Sequence, residues 1–438
     1  MKEIIKKVVP KWAISFYHWV LANFGALIYG YPSKKLIVIG VTGTKGKSTS
    51  SYLIAKFLEG AGHKVGLTST IIFKVGEKEW LNDKKMTMLG RFGLQKLLKE
   101  MVKECCKYAV IETSSEGIAQ YRHKGIDYDI ALFTNLSPEH IESHGSYDKY
   151  RAAKGKLFKG LFLGKDKGIK KTAVINLDDD EASYFLGLHT NVVGFTLRNA
   201  FKQKAKEIIS VKKILIKDDG AEFNINDTEF KTGLLGEINV YNLVSAISVC
   251  KILGVPLERF KNTVQGISHV PGRMEFIKEG QDFEVIVDYA HEPASMKALY
   301  GIVRDIPHKR IIHIFGATGG GRDKSRRPVL GQIADQNAKI IILTNDDPYN
   351  EDEHKIIKDV KKGIKPFSSK TMKGKKKEES LFIILDRRKA IEKGIELARK
   401  GDVVLITGKG SEQVMATKGK LIQWDDREIA RKAIHLKI

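Results

Sequence analysis

Cysteine is scarce in this chain and shows no paired pattern. Among 438 residues there are three, Cys105, Cys106 and Cys250, two of them adjacent, and no C-x-x-C spacing occurs. That excludes a disulfide framework and a zinc ribbon, and it fits a reducing compartment. Acidic side chains are also in deficit, since 75 Lys and Arg stand against 52 Asp and Glu and leave a net charge of +23. Such an excess suits nucleic acid, an anionic membrane surface, or a lysine-rich protein handling phosphorylated substrates. The densest basic run, Lys362–Ser380, holds a single aromatic, Phe367. A base-stacking platform is therefore not indicated, and no nucleic-acid partner is expected.

Charge is missing altogether from residues 12–33, WAISFYHWVLANFGALIYGYPS, which lysines flank on both sides. About 20 apolar residues suffice to cross a bilayer. Ser15, His18 and Asn23 interrupt this run, however, and no small-residue cleavage site follows it. The expectation is a helix lying on the protein body or in a membrane interface rather than a span.

What is present is an ordinary globular composition, 42% hydrophobic and 29% charged, in a chain long enough for two or three domains. Short Val/Ile-rich runs alternate with helical patterns, the mark of buried parallel strands in an α/β fold. They fall at 36–43, 108–115, 130–137 and 172–180, and again at 283–290, 309–319, 338–348, 381–386 and 402–410. Between about 205 and 232, short alternating segments around DDG and IND suggest hairpins, and 239–254 reads as a helix stopped by Gly254. The rhythm restarts after SHVPGRMEF, which places a boundary near Val270–Gly272. Polar residues collect at the C-terminal ends of these strands, where open parallel sheets bind ligands.

The stretch VIGVTGTKGKSTS, residues 38–50, joins a buried strand to a helix through a Gly/Thr turn. The common phosphate loop, G-x-x-x-x-G-K-[ST], would require glycine at 41, where the chain has Val41. The setting still favours phosphate, because helix-start N–H groups and the helix dipole point at the turn. Lys47 is placed for the β- and γ-phosphates and the Ser48 hydroxyl for Mg²⁺. Glu112, His140 and Lys154 follow at successive strand ends and on a helix. Glu and His are acceptable Mg²⁺ ligands, oxygen being preferred, whereas a lysine amine qualifies only as its CO₂ adduct, a carbamate. Spacing alone leaves open whether these three form one metal site or are a strand-end acid, a loop histidine and a surface lysine.

The ordered motifs GVTGTKGKST, ETSSEGIAQYR, FTNLSPEHIESHGSYDKYRAAK, GEINVYNLVSA, PGRMEF, VDYAHEPASM, FGATGGGRDKSRRP, TNDDPYNED and ITGKGSE resemble the Mur ligase family, most closely its tripeptide-synthesising members. The resemblance spans roughly residues 36–438, and its phosphate loop, T-G-T-[NK]-G-K-[ST], is Thr42–Ser48 here. It implies an α/β architecture with a central P-loop ATPase domain, mostly parallel in its sheet, at 36–270. A Rossmann-like ligase domain follows at 271–438, after a short apolar segment at 1–35. It also implies an ATP- and Mg²⁺-dependent amide-bond ligase of peptidoglycan precursor synthesis. Such an enzyme phosphorylates a muramyl-peptide-like carboxylate and joins a free amino acid to it. Gly43, Thr44, Lys45, Gly46, Lys47, Ser48 and Thr49 would hold ATP, with Asn242 at the base and Arg273 and Asp288 closing from the C-terminal domain. Ser48, Glu112, His140 and carbamylated Lys154 would hold Mg²⁺. Thr87, Ser114, Ser115 and Arg122 would face the acceptor, and Arg327, Asp346, Asp347, Gly408 and Glu412 the incoming amino acid.

This sequence departs from the family pattern at several points. Only about 35 residues precede the loop, too few for the usual uridine-binding domain, and the apolar segment stands there instead. A lipid-linked acceptor is therefore one expectation beside a UDP-linked one. Diaminopimelate-adding members read D-N-P-R where this chain reads Asp346-Asp347-Pro348-Tyr349, so the arginine that would clamp a second carboxylate is absent. Ser114-Ser115-Glu116 replaces S-S-H, GKGSE replaces G-K-G-H-E, and MTMLG keeps one threonine of a pair. Two alternatives stand beside the ligase reading: a folylpolyglutamate-synthase-like enzyme, and a nucleotide-binding scaffold without turnover. The expected location is cytoplasmic, with peripheral membrane contact through 12–33.

Overall fold

A computed structural model describes residues 10–138, 144–198, 205–366 and 379–438. The chain forms two compact units, Met1–Ser268 and His269–Ile438.

The first unit opens with α1 (Lys11–Ile28), and its central sheet is begun by β1 (Ile37–Thr42). The remaining strands of the sheet follow β1, and the central parallel ones are short apolar runs buried on both faces. Going along the chain, these are β2 (Val65–Thr68), the hairpin β3 (Ile72–Val75) and β4 (Lys78–Leu81), β5 (Tyr108–Glu112) and β6 (Ile130–Phe133). They are followed by β7 (Thr172–Asn176), β8 (Val192–Thr196), β9 (Glu207–Lys217), β10 (Gly220–Ile225) and β11 (Thr228–Thr232). The spatial order is β11-β10-β9-β8-β7-β6-β1-β5-β2-β3-β4. Strands β9 through β2 in that order run parallel, while β3-β4 and β10-β11 add antiparallel edges. The hairpins expected between 205 and 232 are present, although β9 joins the main sheet alongside β8.

Helix α2 (Lys47–Gly60) follows β1, and α3 (Glu237–Ile252) packs on it. Small hydroxyls make the approach possible, with Ser50 Oγ and Ser245 Oγ 2.9 Å apart. The helix expected at 239–254 therefore begins at Glu237, and Gly254 (φ +84°) ends it.

The second unit carries a six-stranded sheet. Its members are β12 (Glu275–Phe276), β13 (Glu284–Asp288), β14 (Ile311–Phe315), β15 (Ile340–Leu343), β16 (Leu381–Ile383) and β17 (Val403–Thr407), in the order β12-β13-β17-β14-β15-β16. All but β12 are parallel, a Rossmann-like arrangement, and Val285, Ile312, Ile342, Val404 and Ile406 form its dry centre. Helices α4 (Arg387–Leu397) and α5 (Asp426–Lys437) cover this sheet.

No helix among the described residues is long and apolar enough to cross a membrane. Most of the basic run at 362–380 lies outside the described residues.

Candidate active site

The loop between β1 and α2 is built around two glycines. Gly46 caps α2 in the left-handed region (φ +77°), and a Cβ there would lie 2.3 Å from Asn242 Oδ1. A Cβ on Gly43 would lie 1.9 Å from Thr134 Oγ1. Any larger residue at either point would collide with the wall that shapes the loop. That wall is the turn after β6: Asn135 O accepts from Thr44 N at 2.8 Å and Asn135 Oδ1 from Lys45 N at 2.8 Å, while Thr134 Oγ1 donates to Lys45 O at 2.7 Å.

Around this cradle the side chains sort by charge and donor type. Ser48 Oγ donates to Glu112 Oε1 at 2.9 Å, and Thr70 N donates to Glu112 Oε2 at 2.6 Å. Lys47 Nζ donates to Thr44 O at 2.8 Å. Lys154 is 2% exposed; its Nζ donates to Gly43 O at 2.6 Å and sits 4.5 Å from the centre of the Tyr150 ring. Tyr150 in turn meets Thr44 Oγ1 at 3.0 Å. Glu112 and Lys154, far from each other in sequence, therefore meet the adjacent Lys47 and Ser48 at one loop. Asn242 joins them from α3, with Ser50 Oγ donating to its Oδ1 at 3.3 Å. His140 lies outside the described residues.

The acceptor candidates form a loose neighbourhood. Thr87 Oγ1 accepts from Thr70 Oγ1 at 3.0 Å, next to the residue that holds Glu112. Ser114 caps the short helix Ser115–Ala119, accepting from Gly117 N at 3.1 Å, and Ser115 Oγ lies 3.1 Å from His144 Nε2. Arg122 donates to Met88 O and, at 2.7 Å, to Gln120 Oε1.

In the second unit a charged cluster gathers at the C-terminal ends of β13, β15 and β17. Asp288 accepts from Met274 N at 2.8 Å and Ala290 N at 2.7 Å; burial raises its carboxyl, and Arg273 with these amides opposes the rise. Arg273 stacks 4.2 Å above the Tyr289 ring. Asp347 accepts from Lys409 Nζ at 2.9 and 3.0 Å and from Ala416 N at 2.8 Å. Lys409 also pairs with Glu412. Burial works against this ammonium, yet Glu412 and Asp347 keep it charged beyond its ordinary range. Asp346 is buried beside them, and burial together with Asp347 pushes its carboxyl up to about 6. Its Oδ2 has no hydrogen-bond partner among the described residues and faces Gly408, where a Cβ would lie 2.5 Å away.

Arg327 is fully buried and held by Glu351 at 2.8 and 2.9 Å and by Asp359 at 3.3 Å. Its neighbour Arg326 pairs with Glu292, and its Nε and Nη2 have no hydrogen-bond partner among the described residues. The sequence reading did not single out Lys409, Tyr289, Arg326, Thr134 or Asn135. Lys409 had one signal, a lysine between two glycines directly after a strand; the others had none of comparable strength.

Residues 41–250 match the Mur ligase middle domain and residues 272–410 the Mur ligase glutamate ligase domain. A UDP-N-acetylmuramyl-tripeptide synthetase from Roseiflexus sp. is 34% identical over 427 residues, covering 94% of this chain and 81% of the relative. The chain belongs to the Mur ligase family. A UDP-N-acetylmuramoyl-L-alanyl-D-glutamate–2,6-diaminopimelate ligase from Geobacillus kaustophilus is also 34% identical, over 97% of this Mur ligase and 84% of the relative. A solved 2,6-diaminopimelate ligase superposes with a TM-score of 0.59 at 31% identity, covering 92% of this chain and 79% of that one. A Mycobacterium tuberculosis folylpolyglutamate synthase shares the fold, with a TM-score of 0.68 at 13% identity over 89% and 92% of the two chains.

This Mur ligase is an ATP-dependent ligase, and the family requires Mg²⁺. The loop suits both. Its left-handed Gly46 opens the helix start to a phosphate, and Ser48 and Glu112 bring two oxygen donors within 2.9 Å of each other.

Proposed function

We propose that this Mur ligase joins a free amino acid to the carboxylate of a muramyl-peptide-like acceptor, in the synthesis of a cell-wall precursor. One observation carries the reading: Ser48, Glu112 and Lys154 converge on a phosphate loop although the chain draws them from three separate elements. The acceptor carboxylate oxygen attacks the γ-phosphorus of ATP, ADP leaves, and an acyl phosphate forms. The amine of the amino acid then attacks the carbonyl carbon, and the tetrahedral intermediate collapses with loss of phosphate and a proton. Activation is needed because a carboxylate is a poor electrophile. Lys47 and the loop N–H groups offset the charge that builds on the transferring phosphoryl oxygens.

Ser48 and Glu112 would hold Mg²⁺, which when bound neutralises phosphate charge. His140 is assigned to the same set from its motif. Lys154 is assigned as a carbamate from its motif; in the described state its amine donates to Gly43 O and lies over the Tyr150 ring, beside the loop that would hold the phosphates. Arg273, Asp288 and Asn242 are assigned to the nucleotide, and Thr87, Ser114, Ser115 and Arg122 to the acceptor. For the amino acid, Asp346 offers an acceptor to an ammonium, with Asp347, Gly408 and Glu412 around it. Arg327, neutralised by Glu351 and Asp359, is assigned to the same amino acid from its motif. Tyr349 stands where an arginine would clamp a second carboxylate, so diaminopimelate is not favoured over lysine or another amino acid. ATP and free amino acids place the reaction in the cytoplasm, with segment 12–33 available to the adjoining membrane surface.

The test is phosphate release by purified protein with ATP, Mg²⁺, UDP-muramyl-dipeptide and a panel of amino acids, with the product weighed by mass spectrometry. Amino-acid-dependent release is expected. Its absence with every combination would remove the proposal, and glutamate-dependent turnover of a folate would replace it. Lys154→Ala should abolish release, with partial recovery on adding short carboxylic acids.

A further inference from the structure

Helix α1 is turned the opposite way from a helix that serves a protein core. Its small residues face inward: Ala22, Gly25 and Ala26 are buried, and a Cβ on Gly125 would lie 2.5 Å from that of Ala26. Its large residues face outward. Trp12 is 74% exposed, Phe16 and Leu27 are each 60% exposed, and Trp19, Phe24 and Ile28 share the same condition. Globular helices bury the large apolar side chains and expose the polar ones. A continuous exposed patch of this kind marks a binding surface.

A basic cavity follows directly. Pro32–Lys35 forms a 3₁₀ turn into β1, and Lys34, Lys35, Lys107, Lys165 and Lys167 line a cavity of about 360 Å³ at the N-terminal ends of β1 and β5, with Asp166 the one acid on its wall. Lys167 is held by Asp129 at 2.7 Å; Lys34, Lys35, Lys107 and Lys165 are exposed. The Ser33 hydroxyl and the Lys165 amide both bond to Asp127, which ties the end of α1 to the chain that carries exposed Phe162 and Leu163. Aromatic side chains with tryptophan prominent, bordered by lysines, match the headgroup level of a bilayer. A second copy of the chain fits worse, because an isologous contact would set two basic rims against each other.

We propose that this face binds the surface of an anionic phospholipid bilayer. The outward side of α1 lies in the boundary between headgroups and acyl chains, and the lysines at the β1 and β5 ends meet lipid phosphates. The lipid-binding end of β1 is opposite the end that carries the phosphate loop, roughly 20 Å away for a strand of this length. The proposal rests on the cytoplasmic placement above but not on ligase turnover.

The full chain is floated with vesicles of phosphatidylcholine alone and of phosphatidylcholine mixed with phosphatidylglycerol. Partition into the anionic vesicles is expected, with a blue shift of tryptophan emission, reversal by high salt, and no competition from inorganic phosphate. Lys34→Glu with Lys35→Glu should weaken partition roughly tenfold or more, each lysine near an anionic surface being worth about fivefold. Trp12→Ser with Phe16→Ser and Trp19→Ser should abolish it while leaving the melting temperature and phosphate release with a soluble acceptor unchanged. Should that triple variant misfold, the lysine pair carries the test. Failure of the parent chain to bind anionic vesicles would overturn the proposal, as would binding that neither set of substitutions weakens. A vesicle-free dimer that the triple variant dissolves, without any lipid partition, would assign the face to a second copy instead. Competition by inorganic phosphate with no emission shift would reduce the lysine cavity to a site for a free anion.

Discussion

Gly46 shows how a single backbone position can control a binding site. Its positive φ and the 2.3 Å approach of Asn242 Oδ1 both exclude a side chain. Gly46→Ala should cost about 1–3 kcal/mol of stability and abolish ATP binding, readable by denaturant unfolding and by calorimetric titration with ATP. Asp346 is a second test at this scale. Its folded carboxyl titrates near 6, above the ordinary 3.8, so its contribution is most favourable below pH 4 and is lost as pH rises through 6. Asp346→Asn should remove that decline, gaining on the order of 3 kcal/mol relative to the parent chain between pH 4 and pH 7, while losing amino-acid-dependent turnover. Urea unfolding at the two pH values checks the first effect and phosphate release the second. The local residues of the site were legible because a strand, a glycine turn and Lys47-Ser48 are adjacent in sequence. The seat of Asn242 against Gly46 was not legible, since no local pattern encodes a contact between residues so far apart. Arg327 was legible only as a motif member; its engagement by Glu351 and Asp359 depends on how the helix Arg326–Asn337 packs beside the turn at Glu351 and the helix Glu353–Lys361.

At the scale of elements, α4 and α5 are joined by a fully buried ion pair. Arg387 donates to Asp426 at 2.9 and 2.6 Å and also to Thr407 O at 2.8 Å, and Trp424 Nε1 donates to Asp426 at 2.8 Å. Removing the cation leaves a carboxylate in the dry interior, so Arg387→Met should cost about 3–5 kcal/mol, measured by thermal or urea unfolding. The central strands could be read from sequence because they are continuous apolar runs with helices between them. The strands end sooner than these apolar runs suggest. The expected strand at 108–115 stops at Glu112 because Ser114 turns its side chain to cap the next helix. Strands β2, β3 and β4 carry no such signal: each has four residues, and β3 contains a buried lysine, Lys74, whose charge Glu59 balances at 2.6 Å. Tertiary pairing creates such strands, and pattern alone does not announce them.

At the scale of the whole molecule, two separate hydrophobic cores support two units. Scanning calorimetry should resolve two transitions, and Arg387→Met should lower only the one that belongs to His269–Ile438. A single transition shifted as a whole would contradict that independence. The cradle of the phosphate loop also has a consequence in time. Ser50 and Asn242 are 192 positions apart, yet they share a hydrogen bond beside Gly46. At translation rates of about 5–20 residues per second, roughly 10–40 s separate the synthesis of the loop from that of the residue that completes its wall. A nascent chain thus carries its nucleotide loop long before the loop can take its shape, and ATP cannot assist the early folding of the unit it will later serve.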